Sequence, residues 1–392
     1  MTSKEEVLQF VEEEGVQFIR LAFYDLFGVQ KNVSIMPRQL NRAFEKGVAI
    51  DASQLFGGCS LGNQDLIIKP DPSTMMILPW RSMESGVIHM VCDLYTLDGQ
   101  PFLADTRRLL KRVLERVDAY GLDLLMAAKI EFYLFERDEN GKPTQIPFDQ
   151  GGYLDVAPKD QGENMRREIC LLLEEMGFDP HKSLHQAGPG QNEVDFHFSE
   201  PLQAADEASI FKWVVRTTAA TNGLYADFSP KPLDGQPGSA MHVQVRFLEG
   251  RNKQDSFIAG LIRYLPDVQL FMCNSARSHL RFKHMHAPKV FDASNQFRNV
   301  MVRIPPLARD VLEVRLPDSL SNPYLVFALV LMAGLKGVEE GLPGVINSEE
   351  DKRLVAASLS EAKEIAAESE FVEECLHPDI IDTYMQILED AC

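Results

Sequence analysis

Apolar and polar side chains alternate in four segments of this chain, and the alternation marks each as a strand with one core face and one polar face. In Lys129-Ile130-Glu131-Phe132-Tyr133-Leu134-Phe135, aromatic and aliphatic residues fill the run without Gly or Pro. Successive strand side chains point to opposite faces, so Ile130, Phe132 and Leu134 share the core face while Lys129 and Glu131 share the other. Glu193-Val194-Asp195-Phe196-His197-Phe198 places Glu193, Asp195 and His197 on one face. Met241-His242-Val243-Gln244-Val245-Arg246-Phe247 does the same for His242, Gln244 and Arg246, and Leu312-Glu313-Val314-Arg315-Leu316 for Glu313 and Arg315. The pattern predicts one sheet whose back packs on helices and whose front lines a polar cavity. Solvated sheet faces favour Lys, Glu and Thr in no special arrangement, whereas recurrent Glu with His and Arg points to chemistry.

Helical periodicity and turn residues predict the remaining elements. Ser3 caps an amphipathic helix running to about Glu14. Strand-like Val16–Tyr24 and Val29–Ile35 flank the Leu26-Phe27-Gly28 turn, and Pro37–Lys46 reads as a helix. Ile50-Asp51-Ala52-Ser53 and a Phe56-Gly57-Gly58 loop come next, then strand candidates at Leu66–Lys69, Met75–Leu78 and Gly86–Leu94. Short strands around little helix predict a small α+β domain over residues 1–99, followed by a larger α+β domain over 100–392. Helices are expected from Asp105 to about Tyr120, at Asn164–Met176, at Asp206–Thr221, at Asp255–Ser275 with an interruption at Pro266, and at the apolar Asn322–Glu340. His279 to Asn299 reads as irregular and basic, and the chain beyond Ser348 as charged, helical and peripheral.

Length and composition narrow the partners. At 392 residues two domains are expected. A net charge of −19 argues against nucleic acid or an anionic membrane as partner, yet leaves room for a local basic pocket. The six cysteines show no CxxC spacing and read as reduced thiols of a cytoplasmic protein. No signal peptide is evident, and the most apolar stretch, Tyr324 to Leu335, is too short to span a bilayer.

Taken in order, these segments resemble the glutamine synthetase family. The resemblance rests on Ile50-Asp51-Ala52-Ser53, Pro70-Asp71-Pro72-Ser73-Thr74, Leu78-Pro79-Trp80 and Glu131-Phe132-Tyr133-Leu134-Phe135. It continues through Gly188-Pro189-Gly190-Gln191-Asn192-Glu193, Pro230-Lys231-Pro232-Leu233, Gly238-Ser239-Ala240-Met241-His242, Phe257-Ile258-Ala259-Gly260-Leu261, Arg303-Ile304-Pro305, and Pro317-Asp318 with Asn322-Pro323-Tyr324. The resemblance implies an N-terminal β-grasp domain and a catalytic α+β domain whose curved antiparallel sheet lines a funnel. It implies an ATP-dependent ligase in which ATP phosphorylates a side-chain carboxylate, such as that of glutamate, and ammonia attacks the acyl phosphate. Divalent Mg²⁺ or Mn²⁺ ions clamp the phosphates. A homo-oligomeric double ring is also implied, with Asp51 and Ser53 of one subunit closing a neighbour's site. By the same resemblance Glu131 and Glu193 match ligands of one metal, and His242 and Glu313 ligands of a second. Arg281, Arg298, Arg303 and Arg315 match arginines that hold the substrate carboxylate and the phosphates, which suits guanidinium forks. Gly238 matches the loop that approaches the amino acid.

Several positions depart from the family pattern. Lys129 stands where the family has Glu, and Gln186 where it has a metal-binding Glu. Gln244 replaces the second His of the third polar strand, and Val311 an expected Arg, with Arg309 as the nearest substitute. The flap Lys283-His284-Met285-His286-Ala287-Pro288 is short and lacks the family's Glu, leaving His286 as a candidate base. At about 4 Å and an effective dielectric near 20, one charge pair is worth roughly 4 kcal/mol. Lys129 is therefore expected to weaken the second metal strongly, and Gln186 to weaken the first.

Three readings follow. In the first, the chain is a divergent ATP-dependent carboxylate–amine ligase with a changed amine or acid, and Lys129 stands in for one metal by pairing with phosphate. In the second, catalysis is lost and the arginines bind an anionic metabolite. In the third, the pocket does metal-independent chemistry with His185, His242 or Lys129 as acid or base. The first is the expectation.

Overall fold

The computed structural model describes residues 3–55, 64–80, 86–284, 287–344 and 352–387. The chain forms two compact units, Met1–Leu109 with Leu171–Asp179, and Leu110–Cys170 with Pro180–Cys392.

The smaller unit opens on a helix, Lys4–Glu13, closed by a capping box. The Ser3 hydroxyl accepts from the Glu6 amide at 3.2 Å, and the Glu6 carboxylate accepts from the Ser3 amide at 2.6 Å. The strands are β1 (Phe18–Tyr24), β2 (Gln30–Ile35), β3 (Val48–Asp51), β4 (Asp65–Pro70), β5 (Met76–Ile77) and β6 (Val87–Tyr95). They form a sheet of order β2-β1-β6-β4-β3 with β5 on β6, and among the described residues only the β1–β6 pair is parallel. Ile19, Leu21, Ile68 and Met90 are fully enclosed in its core.

The larger unit is built on one long strand, β7 (Asp123–Arg137). Around it lie β8 (Pro143–Pro147), β9 (Pro180–His185), β10 (Gln191–Phe196), β11 (Leu224–Asp227), β12 (Met241–Glu249), β13 (Val290–Ser294), β14 (Val300–Arg303) and β15 (Val311–Val314). The sheet order is β13-β14-β15-β12-β7-β10-β9, with β8 and β11 also paired to β7. All pairs are antiparallel except β13–β14. Ile130, Phe132, Leu134, Val194, Val243 and Val245 are completely buried, as the alternation requires. The helix Pro201–Thr221 covers this face, with Phe211 edge-on to Phe132 at 6.0 Å and to Phe196 at 5.4 Å. Each such side chain contributes about 1.5–3 kcal/mol by leaving water.

Behind the sheet, the helices Gln254–Tyr264 and Pro323–Glu339 approach so closely that glycine is required at the contact. A Cβ on Gly260 would lie 2.3 Å from the Ala333 carbonyl oxygen, and one on Gly337 would lie 2.2 Å from that of Ser256. The helix Pro323–Glu339 is apolar on every side as far as Leu335 because it is buried on every side there. No described helix is long and apolar enough to cross a membrane. Cys92, Cys273 and Cys375 are free thiols.

Three expectations are corrected. The segment expected to be irregular from His279 to Asn299 contains the end of a capped helix, Ala276–Arg281, and the strand β13. Its basic residues include buried, bonded ones: the His279 ring shares a hydrogen bond of 2.9 Å with the Ala356 carbonyl, and Arg281 is buried. The C-terminal helices Leu359–Ala367, Glu370–Cys375 and Pro378–Met385 are not peripheral. Val372, Ile380 and Tyr384 are fully enclosed, and the Tyr384 ring lies 5.1 Å from that of Phe271. Their charges occupy one face of each helix, and that masked the apolar face. Finally, His197 lies past the end of β10 and rests against His181, with 3.0 Å between ring nitrogens. The Phe56-Gly57-Gly58 loop falls outside the described residues.

Candidate active site

The polar front of the larger sheet lines a cavity of about 800 Å³. Six basic side chains line it, Lys129, Lys182, Arg281, Arg298, Arg303 and Arg315, against three acidic ones, Glu131, Glu193 and Glu313. The cavity is thus cationic within a chain of net charge −19, which suits anionic ligands. All of its lining belongs to the larger unit. Asp51 and Ser53 belong to the smaller one, where Asp51 is exposed and the Ser53 hydroxyl donates to it at 2.6 Å. That bond and the Ser53 amide hold the Asp51 carboxyl below its ordinary range.

One end of the cavity is acidic. Glu131 on β7 and Glu193 on β10 are direct cross-strand partners. The Gln186 amide nitrogen sits between them, donating to Glu131 Oε1 at 3.1 Å and to Glu193 Oε2 at 2.8 Å. The Ala240 amide donates to Glu131 Oε2 at 2.8 Å. Burial pushes the Glu131 carboxyl above its usual range, although the Ala240 amide and Arg281 oppose it. Burial likewise raises Glu193, reinforced by the carboxylates of Asp195 and Glu131. Asp195, the next inward residue of β10, pairs with Lys182 at 2.9 Å through one oxygen. Its other oxygen is buried without a hydrogen-bond partner. Two facing buried carboxylates, with a third beside them, fit a hard divalent cation. Gln186, with its amide turned, adds a neutral oxygen donor.

The other end is basic. Lys129, opposite His242 in register, reaches Glu313 Oε2 with its ammonium at 3.0 Å. Arg303 lies 3.5 Å and Arg315 3.9 Å from Glu313 Oε1, and the Gln244 amide donates to Oε2 at 3.3 Å. Burial works to raise the Glu313 carboxyl, but His242, Lys129 and Arg303 outweigh it and pull it down to about 2. Burial, aided by Arg315, holds His242 well below its usual range. Glu313 is already compensated by three fixed cations, so the residues here do not fit a second divalent ion.

The cavity wall also holds unmet donors. Arg315 Nε and Nη1 and Arg281 Nε are buried without hydrogen-bond partners, while another Arg281 nitrogen donates to the Leu316 carbonyl. Buried guanidinium N–H groups without acceptors complement an oxyanion. Gly238 lets the backbone come this close. A Cβ there would lie 2.4 Å from the Pro230 carbonyl oxygen and 2.5 Å from Arg281 Cγ.

His185, a candidate acid or base, is not in the cavity. Its side chain is fully enclosed and uses both ring nitrogens, with Asp149 Oδ1 at 2.9 Å and the Gln186 carbonyl at 2.7 Å. Asp149 also accepts from the amides of Gly151, Gly190 and Gln161. Asp149, Asp160 and His185 have spacing that a metal could use. Arg166 already supplies the positive charge there, forking onto Asp160 at 3.1 and 2.5 Å. The network braces the turn that carries Gln186. Asp149 escaped the sequence reading because it lies in a Pro- and Gly-rich connection with no periodicity. Asp195 and Lys182 carried a weak signal, the inward side of their strands. His284 lines the cavity, whereas His286 falls outside the described residues.

An oxygen-rich, cation-fitting end thus faces an arginine wall on one sheet. Residues 15–97 match the family described as Glutamine synthetase, beta-Grasp domain, and residues 103–390 match Glutamine synthetase, catalytic domain. The glutamine synthetase of Methanosarcina mazei is 37% identical over 98% of this chain and 93% of its own length. That of Clostridium saccharobutylicum is 38% identical over 92% of this chain and 85% of its own. A solved structure described as a GmaS/ADP complex superposes with a TM-score of 0.85 at 25% identity, covering 98% of this chain and 94% of that one. The chain belongs to the glutamine synthetase family of ATP-dependent ligases.

Proposed function

We propose that this chain joins the side-chain carboxylate of glutamate or a related acid to an amine, through an acyl phosphate. The observation that supports this best is the single cavity in which a cation-fitting carboxylate pair faces arginines with unmet donors. A carboxylate oxygen of the acid attacks the γ-phosphorus of ATP, and ADP leaves. The amine nitrogen then attacks the acyl carbon, phosphate departs, and the amide forms with loss of a proton. Glu131, Glu193 and Gln186 would hold Mg²⁺ or Mn²⁺, which when bound neutralises phosphate charge. Arg281, Arg298, Arg303 and Arg315 hold the acid's carboxylate and the phosphates by bidentate pairing. The ADP of the GmaS structure supports an adenine nucleotide. The short flap without a Glu favours an amine or acid other than ammonia and glutamate. Closure of the cavity by Asp51 and Ser53 of a neighbouring copy in a ring is part of the same reading, and light scattering that gave a monomer would count heavily against it.

One observation favours a second reading. The Gln186 amide already fills the space between Glu131 and Glu193. A cavity that has closed on itself in this way would bind an anionic metabolite without turnover. Calorimetric titration with ATP and ADP, with and without Mg²⁺, separates the two. Metal-dependent micromolar binding is the expected result. Absence of nucleotide binding under both conditions overturns the ligase reading.

A further inference from the structure

We propose that the cavity takes one divalent cation per chain, at the Glu131–Glu193 end, and that the Lys129 ammonium holds the place of a second. Lys129 and Glu131 lie two residues apart on β7 and face the same way, so their positions are roughly 7 Å apart along the strand. At the Glu131 end, two buried carboxylates face each other with Asp195 alongside, and only a neutral amide lies between the pair. At the Lys129 end, one carboxylate meets Lys129, Arg303 and Arg315 within 3.9 Å. A dication placed there would face three like charges across distances at which each is worth several kcal/mol. The lysine does more than block. An ammonium has three N–H donors, and Glu313 uses one at 3.0 Å. The side chain is partly open to the cavity, so the remaining donors are free to meet a phosphoryl oxygen. A point charge with rotatable donors suits that task. The role given to Lys129 rests on the ligase reading; the number of cations does not.

The test counts Mn²⁺ bound to the full-length protein by electron paramagnetic resonance of the free ion, with circular dichroism to confirm folding. Wild type is expected to bind one Mn²⁺ per chain, with any second at least 100-fold weaker. Glu131→Gln should abolish the one ion. Lys129→Glu should bind two, and Lys129→Gln, which removes the charge without adding a carboxylate, should bring the second ion within measurable range. Two ions of similar affinity in wild type would overturn the proposal, as would none. So would a single ion in both folded Lys129 variants, because Lys129 would then not be what excludes the second. Adding ADP separates the two readings. One ion per chain with no effect of ADP leaves the count standing and removes the ligase.

Discussion

Glu131 and Glu313 are both buried carboxylates on the same face of one sheet, and their surroundings treat them oppositely. Around Glu131 the nearest groups are a second carboxylate and neutral amides, so burial wins and the acid resists ionisation. Around Glu313, Lys129 and two arginines overcome burial, and the acid is ionised at all ordinary pH. Burial alone therefore does not decide what a glutamate in this cavity can do. At one end the carboxylate pair is bridged only by a neutral amide and can accept a cation; at the other the positive charge is built in from side chains.

Replacing each acid by its amide should break this symmetry most visibly. Glu313→Gln leaves Lys129, Arg303 and Arg315 facing one another without their counter-ion, and loss of one partner from a buried pair costs about 3–5 kcal/mol. Its melting temperature should fall. Glu131→Gln removes one of two like charges, so the metal-free protein should hold its stability or gain at pH 8. The same variant should lose more than about 100-fold in Mn²⁺ affinity, since even groups that only brace a ligand shift affinity by roughly 10- to 100-fold. Thermal melts of both variants with and without Mn²⁺ check this. Equal destabilisation by the two changes would show that the ends are not electrically distinct.

Ligand binding should distinguish the ends next. Arg303→Ala removes a fork from the basic end, and a hydrogen bond to a charged group is worth about 1.5–3 kcal/mol. ADP affinity should drop by roughly 10- to 100-fold by calorimetry. Mn²⁺ binding without nucleotide should be unchanged, because Arg303 touches Glu313 rather than Glu131. An unchanged ADP affinity would take Arg303 out of the phosphate site.

The sequence showed this division only in part. Alternation placed Lys129, Glu131, Glu193, His242, Glu313 and Arg315 on inward faces, and the structure gathers them around one cavity. Strand periodicity works here because each strand has one buried apolar face that forces the register. What it could not show is which polar groups touch. The Lys129–Glu313 pair joins residues 184 positions apart. Asp149, which braces His185 and the Gln186 turn, lies in a connection with no period to read. The C-terminal helices were misjudged for a related reason: charged residues dominate their composition, while Val372, Ile380 and Tyr384 set their packing.

The pH should tune the acidic end and leave the basic end alone. The raised carboxyls of Glu131 and Glu193 contribute stability that is fully present below their unfolded value of 4.5 and lost as pH rises through their folded values. Glu313 is lowered, so its contribution is present above 4.5 and lost only as pH falls through about 2. Between pH 6 and 8.5, then, the acidic end rather than the basic end should cost the metal-free protein stability, and the rise in melting temperature on adding Mg²⁺ should grow. A rise independent of pH would mean that the cation does not displace protons from this pair.

The smallest effect expected is also the most local. Gln186→Glu exchanges the amide between Glu131 and Glu193 for a third negative charge at the same place. Without metal, two hydrogen bonds become like-charge contacts, and the variant should melt a few degrees lower, about 1 kcal/mol for a domain of this size. With Mn²⁺ the added carboxylate replaces a neutral oxygen donor, and affinity should rise about tenfold, or roughly 1.4 kcal/mol. The gain is modest because an added buried carboxylate takes up a proton as well as a metal ion, and at neutral pH the two compete. It should therefore be larger at pH 8.5 than at pH 6.5. If affinity rises equally at both, the new carboxylate is ionised before the metal arrives, and the acidic end is better solvated than its burial indicates.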